Sequence, residues 1–427
     1  MNQKVLNLAR FAYQSLIVCW MIGSLGFIGK LLVANQLLTS SDGRTVHYCD
    51  FVLYKMGGTI FLSDSPQNIY DSATQLQTFN NLIAPLHVDH LDPLLYPPFF
   101  FAMMTPWALL PLTLGFIIWS ILGIAGGLGT VLLLLRESQL LPARQHRTFL
   151  VGAVVFVPFF QSLEVGYSSL LLLIILAAFF WAFLTRKDVL AGLMLACSAF
   201  KVQYFWFLFL PALFCKRIKT LAVGLPAAAM LCALSAWRVG WSNIWNYPRI
   251  VLAGEPSGNV YQMVGFRGLI SNFVPQSIAI PASGVVSICG SILLMYIWWR
   301  ANKSKNQTEM RWAAALTATS ALLFSPHSHM SDCTILLISA ALTLSTLEFD
   351  EAVKLKPISL RIWHLVYLIS PVLSIALFIY WGILGQWLNM TIDPFLIFNI
   401  ALFGSGLAYF LSRQPIDDSA SKLIFLP

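Results

Sequence analysis

Long uncharged apolar runs, separated by short charged segments, constrain this chain more than any other feature. Between Leu112 and Leu135, for example, no charged side chain occurs, and Arg136 follows at once. A helix of about 20 apolar residues spans the hydrocarbon core of a bilayer. Charged residues make up 10% of the chain, against roughly 25% in soluble domains. The polar surface is therefore too small for a water-soluble globule, and the pattern predicts an all-α polytopic membrane protein.

Comparable runs predict about twelve transmembrane spans in a single integral membrane domain, 1–427. We place the spans at 11–35, 112–135, 148–164, 167–185, 189–200, 202–215, 218–240, 279–299, 312–325, 332–348, 362–385 and 394–412. The pair at 189–200 and 202–215 is short, and it also fits a single kinked span. The first run is too long for the core of a signal peptide, so we interpret it as an uncleaved span.

The distribution of basic residues gives the expected orientation. Cytoplasmic loops of membrane proteins are enriched in Lys and Arg. Five basic clusters fall between predicted spans: Arg136/Arg144/Arg147, Arg186/Lys187, Lys216/Arg217/Lys219, Arg300/Lys303/Lys305/Arg311 and Lys354/Lys356/Arg361. An N-terminus on the cytoplasmic side puts all five clusters, and the C-terminus, on that side. The net charge of +8 is thereby explained without a nucleic-acid partner.

Two long loops then lie on the opposite side of the membrane, at 36–111 and 241–278. The first carries six acidic residues: Asp42, Asp50, Asp64, Asp71, Asp89 and Asp92. Its end, 94–111, is apolar but short and starts with Tyr-Pro-Pro. Because proline is tolerated in the first turn of a helix, we expect one short juxtamembrane helix there, ending before Pro111.

Asp50 opens the apolar stretch "DFVLYKMGG" directly after a polar segment. A carboxylate close to hydrocarbon is costly unless it is paired or solvated. One interpretation is a helix-capping or interfacial carboxylate. The other is a general base whose pKa is tuned by partial burial.

Two cationic residues stand at expected membrane boundaries on the outer side. Lys201 lies where two short apolar runs meet, and Arg267 lies between two glycines in "MVGFRGLI". Each either extends towards the interface or binds an anion. The planar guanidinium of Arg suits phosphate because it donates two parallel hydrogen bonds.

The connector "LLFSPHSHMSDCTILL" brings Ser325, His327, His329 and Asp332 close together in sequence. Ser331 or Asp332 is expected to cap the following helix, which leaves His327 without a structural role. A metal site is the weaker alternative, because the two histidines lack helical i, i+4 spacing. The seven cysteines are scattered, without metal-site spacing, and we interpret them as small apolar residues.

The order of these motifs resembles glycosyltransferase family 87. The similarity rests on "DFVLYKMGG", "YPPFFFAMMTPWALLP", the block from "GYSSLLLL" to "WFLFLPALF", "MVGFRGLI" and "SPHSHMSD", over roughly 45–340. The resemblance implies a GT-C helical bundle in a bacterial plasma (inner) membrane. It also implies inverting transfer of a hexose, such as mannose, from a polyprenyl-phosphate donor to a lipid or glycan acceptor on the non-cytoplasmic face.

The family pattern also implies roles for individual residues. Its catalytic acid falls on Asp50, its Tyr-Pro-Pro motif on Tyr96–Pro98, its lysine on Lys201, and its Ser-Pro-His connector on Ser325–His327. The segment "EVGYSS" departs from the pattern, which has Gln in place of Ser168 or Ser169. The residues expected to bind the donor phosphate are Lys201, His327 and Arg267. The residues expected to line the substrate pocket are Tyr54, Asp89, Asp92, Tyr96, Glu164, Gln203 and Asp332. No metal or cofactor is expected.

The chemistry of the reaction is consistent with this set of residues. Inverting transfer needs one base for the acceptor hydroxyl, and cations stabilise the departing phosphate. Two other functions remain open on the sequence: a transporter or flippase, and a polymerase or ligase of lipid-linked glycans. Transporters commonly show paired repeats with charges near the midplane of the bilayer, and this chain shows no clear repeat.

Overall fold

The computed structural model describes residues 50–91, 94, 96–136, 143–154, 156–253, 260, 263–344 and 393–413. The predicted spans at 11–35 and 362–385 lie outside the described residues, as does Asp92. Within the described ranges the chain is helical, and they contain no β-strand. This agrees with the expected all-α architecture.

Besides a 3₁₀ helix at Pro66–Asn68, the described part of the predicted first loop contains four short α-helices. They are α1 (Asp50–Leu62), α2 (Ser72–Ile83), α3 (Pro98–Met103) and α4 (Thr105–Ala108). The bundle then continues with α5 (Leu112–Arg136), α6 (Ala143–Val154), α7 (Val157–Val165), α8 (Ser169–Leu184), α9 (Asp188–Ser198), α10 (Val202–Phe214), α11 (Ile218–Val239), α12 (Trp241–Ala253), α13 (Phe266–Ser271), α14 (Gln276–Ser304), α15 (Gln307–Leu323), α16 (Leu336–Leu344) and α17 (Pro394–Ser412). A 3₁₀ helix at Met330–Ile335 leads into α16.

Four of the described helices are long and apolar enough to cross a membrane: Leu112–Arg136, Ile218–Val239, Gln276–Ser304 and Phe395–Ser412. Each coincides with a predicted span. Helices α8, α9 and α10 are apolar but shorter. The chain is thus a helical membrane protein, while the count of twelve spans stays a prediction.

Two predicted elements differ from the observed ones, and proline explains both differences. The span expected at 148–164 is divided into α6 and α7, with Pro158 in the first turn of α7. The single helix expected at 94–111 is two helices, with Pro106 in the first turn of α4. Proline disfavours a helical conformation of the preceding residue and lacks an amide donor, so it starts a new helix. The runs at 189–200 and 202–215 form two helices that meet at Lys201.

Helix α1 packs very closely against the Tyr-Pro-Pro segment. A Cβ atom added to Gly58 would lie 2.7 Å from the carbonyl oxygen of Met104. One turn earlier, the ammonium of Lys55 donates to the carbonyl oxygens of Trp107, Ala108 and Leu110 at 2.9, 2.9 and 2.6 Å. Lys55 thereby satisfies the free carbonyls at the end of α4, and the two helices are fixed relative to each other.

We expect Gly58→Ala to destabilise the protein by about 1–3 kcal/mol, because the added methyl group meets backbone rather than a movable side chain. Gly129→Ala is the matched control, since nothing lies within 4 Å of a Cβ atom there, and alanine favours a helix over glycine by roughly 0.5–1 kcal/mol. Thermal denaturation in detergent measures both. Equal denaturation temperatures for the two variants would contradict the close packing of α1.

The far end of α1 is capped from the bundle. The guanidinium of Arg238, in the last turn of α11, donates to the carbonyl oxygens of Phe61, Leu62 and Ser63 at 3.1, 3.3 and 2.8 Å. Terminal carbonyls of a helix carry partial negative charge, which a cation stabilises. Helix α1 is therefore held at its middle and at its C-terminal end, which sets the direction of the turn that begins with Asp50.

Candidate functional site

The site is built around the first turn of α1. The hydroxyl of Tyr54 donates to Asp50 Oδ2 at 3.3 Å and lies 3.1 Å from the hydroxyl of Tyr96. Asp50 and Tyr54 are four residues apart, so they share one face of the helix. Tyr54 is almost fully buried, whereas Asp50 remains partly exposed. A carboxylate in this setting is oriented by the protein and still open to a substrate.

The Tyr-Pro-Pro motif orients Tyr96 towards Tyr54. Its ring stacks on Phe100 with the centroids 4.4 Å apart, and its backbone carbonyl accepts a hydrogen bond from the Tyr70 hydroxyl at 2.7 Å. The two prolines follow at the start of α3. The motif therefore starts a helix and also places a phenol beside the candidate base.

The turn between α7 and α8 closes this cluster from the other side. Gly166 adopts the left-handed conformation with φ 75°, and a Cβ atom there would lie 2.7 Å from Cβ of Phe51. Only glycine accepts both constraints easily. The turn brings the amide of Ser168 within 3.2 Å of the Tyr54 hydroxyl, and Ser168 Oγ within 2.8 Å of the Tyr96 hydroxyl.

A buried ion pair lies next to this turn. Lys201 Nζ is 2.5 Å from Asp332 Oδ1, and the two side chains are 11% and 2% exposed. Ser169 Oγ donates to the same carboxylate oxygen at 2.7 Å. A buried carboxylate is stable only when it is paired and hydrogen-bonded. Because Ser168 and Ser169 are adjacent, the ion pair and the Asp50 cluster form one site.

The Ser-Pro-His connector forms the edge of the same site. Ser325 Oγ accepts from the amide of His327 at 3.1 Å, and Gln203 Nε2 donates to the His327 carbonyl at 3.1 Å. Arg267 donates to the carbonyl of Pro326 at 2.9 Å. The structure thus places His327 in this connector, Arg267 in contact with it, and Lys201 in the ion pair beside it. These are the three residues expected to bind the donor phosphate.

The capping pattern after this connector differs from the expected one. His329, rather than Ser331 or Asp332, is the N-cap residue of the 3₁₀ helix. Asp332 Oδ2 accepts from the amide of His329 at 3.4 Å, while the other oxygen binds Lys201. The ring of His329 lies against that of His327, with the centroids 4.6 Å apart. Asp332 therefore combines a capping role with the ion pair.

The surroundings of Asp50 change its acidity. Burial raises the pKa of Asp50 to about 7, while the hydrogen bond from Tyr54 and the positive charge of Lys201 act in the opposite direction, and the charge of Asp332 adds to the rise. A base works best when its pKa lies near the operating pH. A carboxyl group with a pKa near 7 suits the removal of a proton from a hydroxyl.

The other predicted pocket residues lie in different surroundings. Asp89 is fully exposed and lies 3.5 Å from His87, so it is not part of the buried cluster. Glu164 is half-buried at the end of α7, and the phenol of Tyr167 lies within electrostatic range of both Glu164 and Asp50. In the ranges that the structure describes, no three His, Cys, Asp or Glu side chains group as metal ligands.

The sequence reasoning missed three residues that hold the site together: Lys55, Ser168 and Ser169. Lysine within an apolar run was a usable signal for Lys55, because a buried ammonium needs acceptors. The two serines gave no comparable signal, because serine is common at helix starts. Their contacts are visible only in the tertiary structure.

Comparison with known proteins gives the family of the chain. No curated protein sequence matches the chain significantly. The profile of glycosyltransferase family 87, by contrast, matches residues 94–326. The match begins at the Tyr-Pro-Pro segment and ends at Pro326. It contains Tyr96, Ser168, Ser169, Lys201 and Arg267, whereas Asp50, Tyr54, His327 and Asp332 lie outside it. With more than half of its length matched, the chain belongs to glycosyltransferase family 87.

Proposed function

We propose that this glycosyltransferase moves a hexose, such as mannose, from a polyprenyl-phosphate donor to a lipid or glycan acceptor, with inversion at the anomeric carbon. The observation that carries the proposal is the Asp50 carboxylate. It is partly exposed, oriented by Tyr54, and has a pKa raised to about 7 beside the Lys201–Asp332 pair. One accessible base next to cationic groups is what a single-displacement transfer from a phosphate ester needs.

The proposed reaction has one chemical step. Asp50 accepts the proton of the acceptor hydroxyl as the hydroxyl oxygen attacks the anomeric carbon of the sugar. The bond between that carbon and the phosphate oxygen breaks, and its electron pair leaves with the polyprenyl phosphate. A general acid that protonates the leaving group is not required opposite Asp50, because polyprenyl phosphate is a good leaving group in its ionised form. The proposal invokes no metal or cofactor.

The groups around the Ser-Pro-His connector support binding of the departing phosphate. Lys201 carries three N–H donors and uses one on Asp332, so donors remain for a second anion. Helix α8 begins beside Asp332 and α10 begins after Lys201, and helix N-termini stabilise negative charge. His327 and Arg267 complete the set in this proposal.

Location at a membrane supports a lipid-linked donor. The isoprenoid chain would stay in the bilayer while the phosphate reaches the connector. Basic clusters at the C-terminal ends of α5 and α14 and at the N-terminal ends of α9 and α11 support an orientation with those ends in the cytoplasm and the site on the opposite face. Membership of a transferase family favours sugar transfer over transport, and the acceptor in this proposal is a lipid or a growing glycan.

We expect purified protein in proteoliposomes to release polyprenyl phosphate from polyprenyl-phosphate mannose when a total lipid extract of the source membrane supplies acceptors. EDTA is expected to leave the rate unchanged, since no metal takes part. A nucleotide sugar offered in place of the lipid-linked donor should give no transfer, and Asp50→Asn protein is the control for background hydrolysis. Transfer from the nucleotide sugar alone would refute the proposed donor.

A further inference from the structure

The hydroxyl of Tyr54 stands at the centre of the hydrogen bonds around the candidate base. It contacts the carboxylate of Asp50 at 3.3 Å, the Tyr96 hydroxyl at 3.1 Å and the amide of Ser168 at 3.2 Å. The Tyr96 hydroxyl in turn lies 2.8 Å from Ser168 Oγ. These contacts join three separate segments of the chain at one atom.

The direction of these hydrogen bonds follows from the chemistry of the groups. An amide N–H only donates, so the Tyr54 oxygen accepts from Ser168. An ionised carboxylate only accepts, so the single hydroxyl proton of Tyr54 is committed to Asp50. The Tyr96 hydroxyl then donates to Tyr54 and accepts from Ser168 Oγ. All the bonds in this chain point towards Asp50, and such aligned bonds polarise one another.

We propose that Tyr54 is a positioning residue that aims the ionised carboxylate of Asp50 at the acceptor hydroxyl, and that Tyr96 and Ser168 hold Tyr54 in this role. The inference rests on the proposed function, because it takes Asp50 as the base. It goes beyond that function by assigning Tyr54 and Ser168, and the phenol of the Tyr-Pro-Pro motif, to control of the base.

Rigid packing around Tyr54 supports the proposal. Its ring is 1% exposed and makes edge contacts with Tyr96 and Phe100, both with the centroids 5.2 Å apart. The ring therefore has little freedom to turn its hydroxyl away from Asp50. Phenylalanine would keep these ring contacts and remove only the hydroxyl, which makes Tyr54→Phe a test of the hydrogen bond.

The expected pH effect has a definite sign. Among the residues that the structure describes, the groups that interact electrostatically with Asp50 are Tyr54, Tyr96, Tyr167, Lys201 and Asp332. Of these, Tyr54 donates a hydrogen bond that lowers the pKa of Asp50, against the rise caused by burial. Loss of that bond raises the pKa further. Because the base acts when deprotonated, activity is lost as the pH falls through its pKa, and this limb moves to higher pH.

The test compares pH profiles of kcat and kcat/KM for Tyr54→Phe, Tyr96→Phe and the parent protein. We expect the acid limb of Tyr54→Phe to move up by about one pH unit, the scale of one hydrogen bond to a charged group. At pH values below the pKa of the base, a shift of this size lowers kcat about tenfold. The difference disappears at high pH. Tyr96→Phe should shift less, in the same direction. Tyr296→Phe, an exposed tyrosine on α14, is the control and should not shift.

A second measurement does not depend on activity. The infrared carbonyl band of a protonated carboxyl group, identified by its loss in Asp50→Asn, titrates with Asp50 in the substrate-free protein. We expect its midpoint in Tyr54→Phe to move upward together with the acid limb. If Asp50→Asn keeps its turnover, the proposed base is refuted while this band still tests the contact with Tyr54. An unchanged midpoint, or an equal loss of kcat at every pH, would overturn the positioning role.

Discussion

Asp50→Asn is expected to lower turnover by about 100-fold to 10,000-fold, the usual contribution of a general base. Asparagine has nearly the same shape as aspartate, and its side-chain oxygen can still accept the hydrogen bond from Tyr54. It cannot take a proton from the acceptor hydroxyl. The change therefore removes the chemistry and leaves the packing of α1 intact.

The measurement is the initial rate of polyprenyl phosphate release, with thermal denaturation as a check on folding. Asp64→Asn is the matched control, because Asp64 is an exposed carboxylate just beyond the same helix and is expected to keep parental activity. In the parent protein, activity should fall as the pH drops through about 7, where Asp50 takes up its proton. Near-parental turnover of folded Asp50→Asn protein would exclude Asp50 as the base.

The second large effect is expected at the buried ion pair of Lys201 and Asp332. Removing one member leaves the other charge buried without its partner, which costs about 3–5 kcal/mol. Both Lys201→Met and Asp332→Leu should therefore lower the denaturation temperature strongly. The double variant should recover part of this loss, because two apolar side chains leave no uncompensated charge.

The same variants separate a structural role of Lys201 from its proposed contact with the phosphate. If Lys201 also stabilises the departing phosphate, the double variant stays slow although its stability is partly restored. Its turnover should fall more than its apparent affinity for the acceptor, because the interaction strengthens in the transition state. If the stability losses of the two single variants simply add up in the double variant, Lys201 and Asp332 do not stabilise the protein as a pair. A raised acceptor KM with unchanged kcat would move Lys201 to the acceptor site.

The departure of this chain from its family pattern lies at the centre of the site. The resemblance implies Gln at the position of Ser168 or Ser169, and in the structure both serine hydroxyls form hydrogen bonds. Ser168 contacts Tyr96, and Ser169 contacts Asp332. The turn at Gly166 approaches α1 closely, and in this chain backbone and hydroxyl contacts join the two halves of the site.

The sequence by itself determined the class of fold and the places of the clearest spans. Helices α5, α11, α14 and α17 coincide with predicted spans because hydropathy is a property of consecutive residues. A helix in lipid satisfies its own backbone, so no distant residue is needed to stabilise its formation. The prolines that divide other predicted elements, Pro106 and Pro158, also act on their immediate neighbours, so those breaks are encoded locally as well.

Only the tertiary structure decided which polar residues meet. Ser168 and Tyr54 are 114 residues apart in sequence, and Lys201 and Asp332 are 131 apart. Asp89 lies in the same acidic segment, 36–111, as Asp50, yet it is exposed beside His87. Residue type and local pattern are similar for both aspartates. Their difference arises because the direction of α1, fixed by Gly58, Lys55 and Arg238, buries one carboxylate against the bundle, and such packing depends on contacts between segments that are distant in the chain.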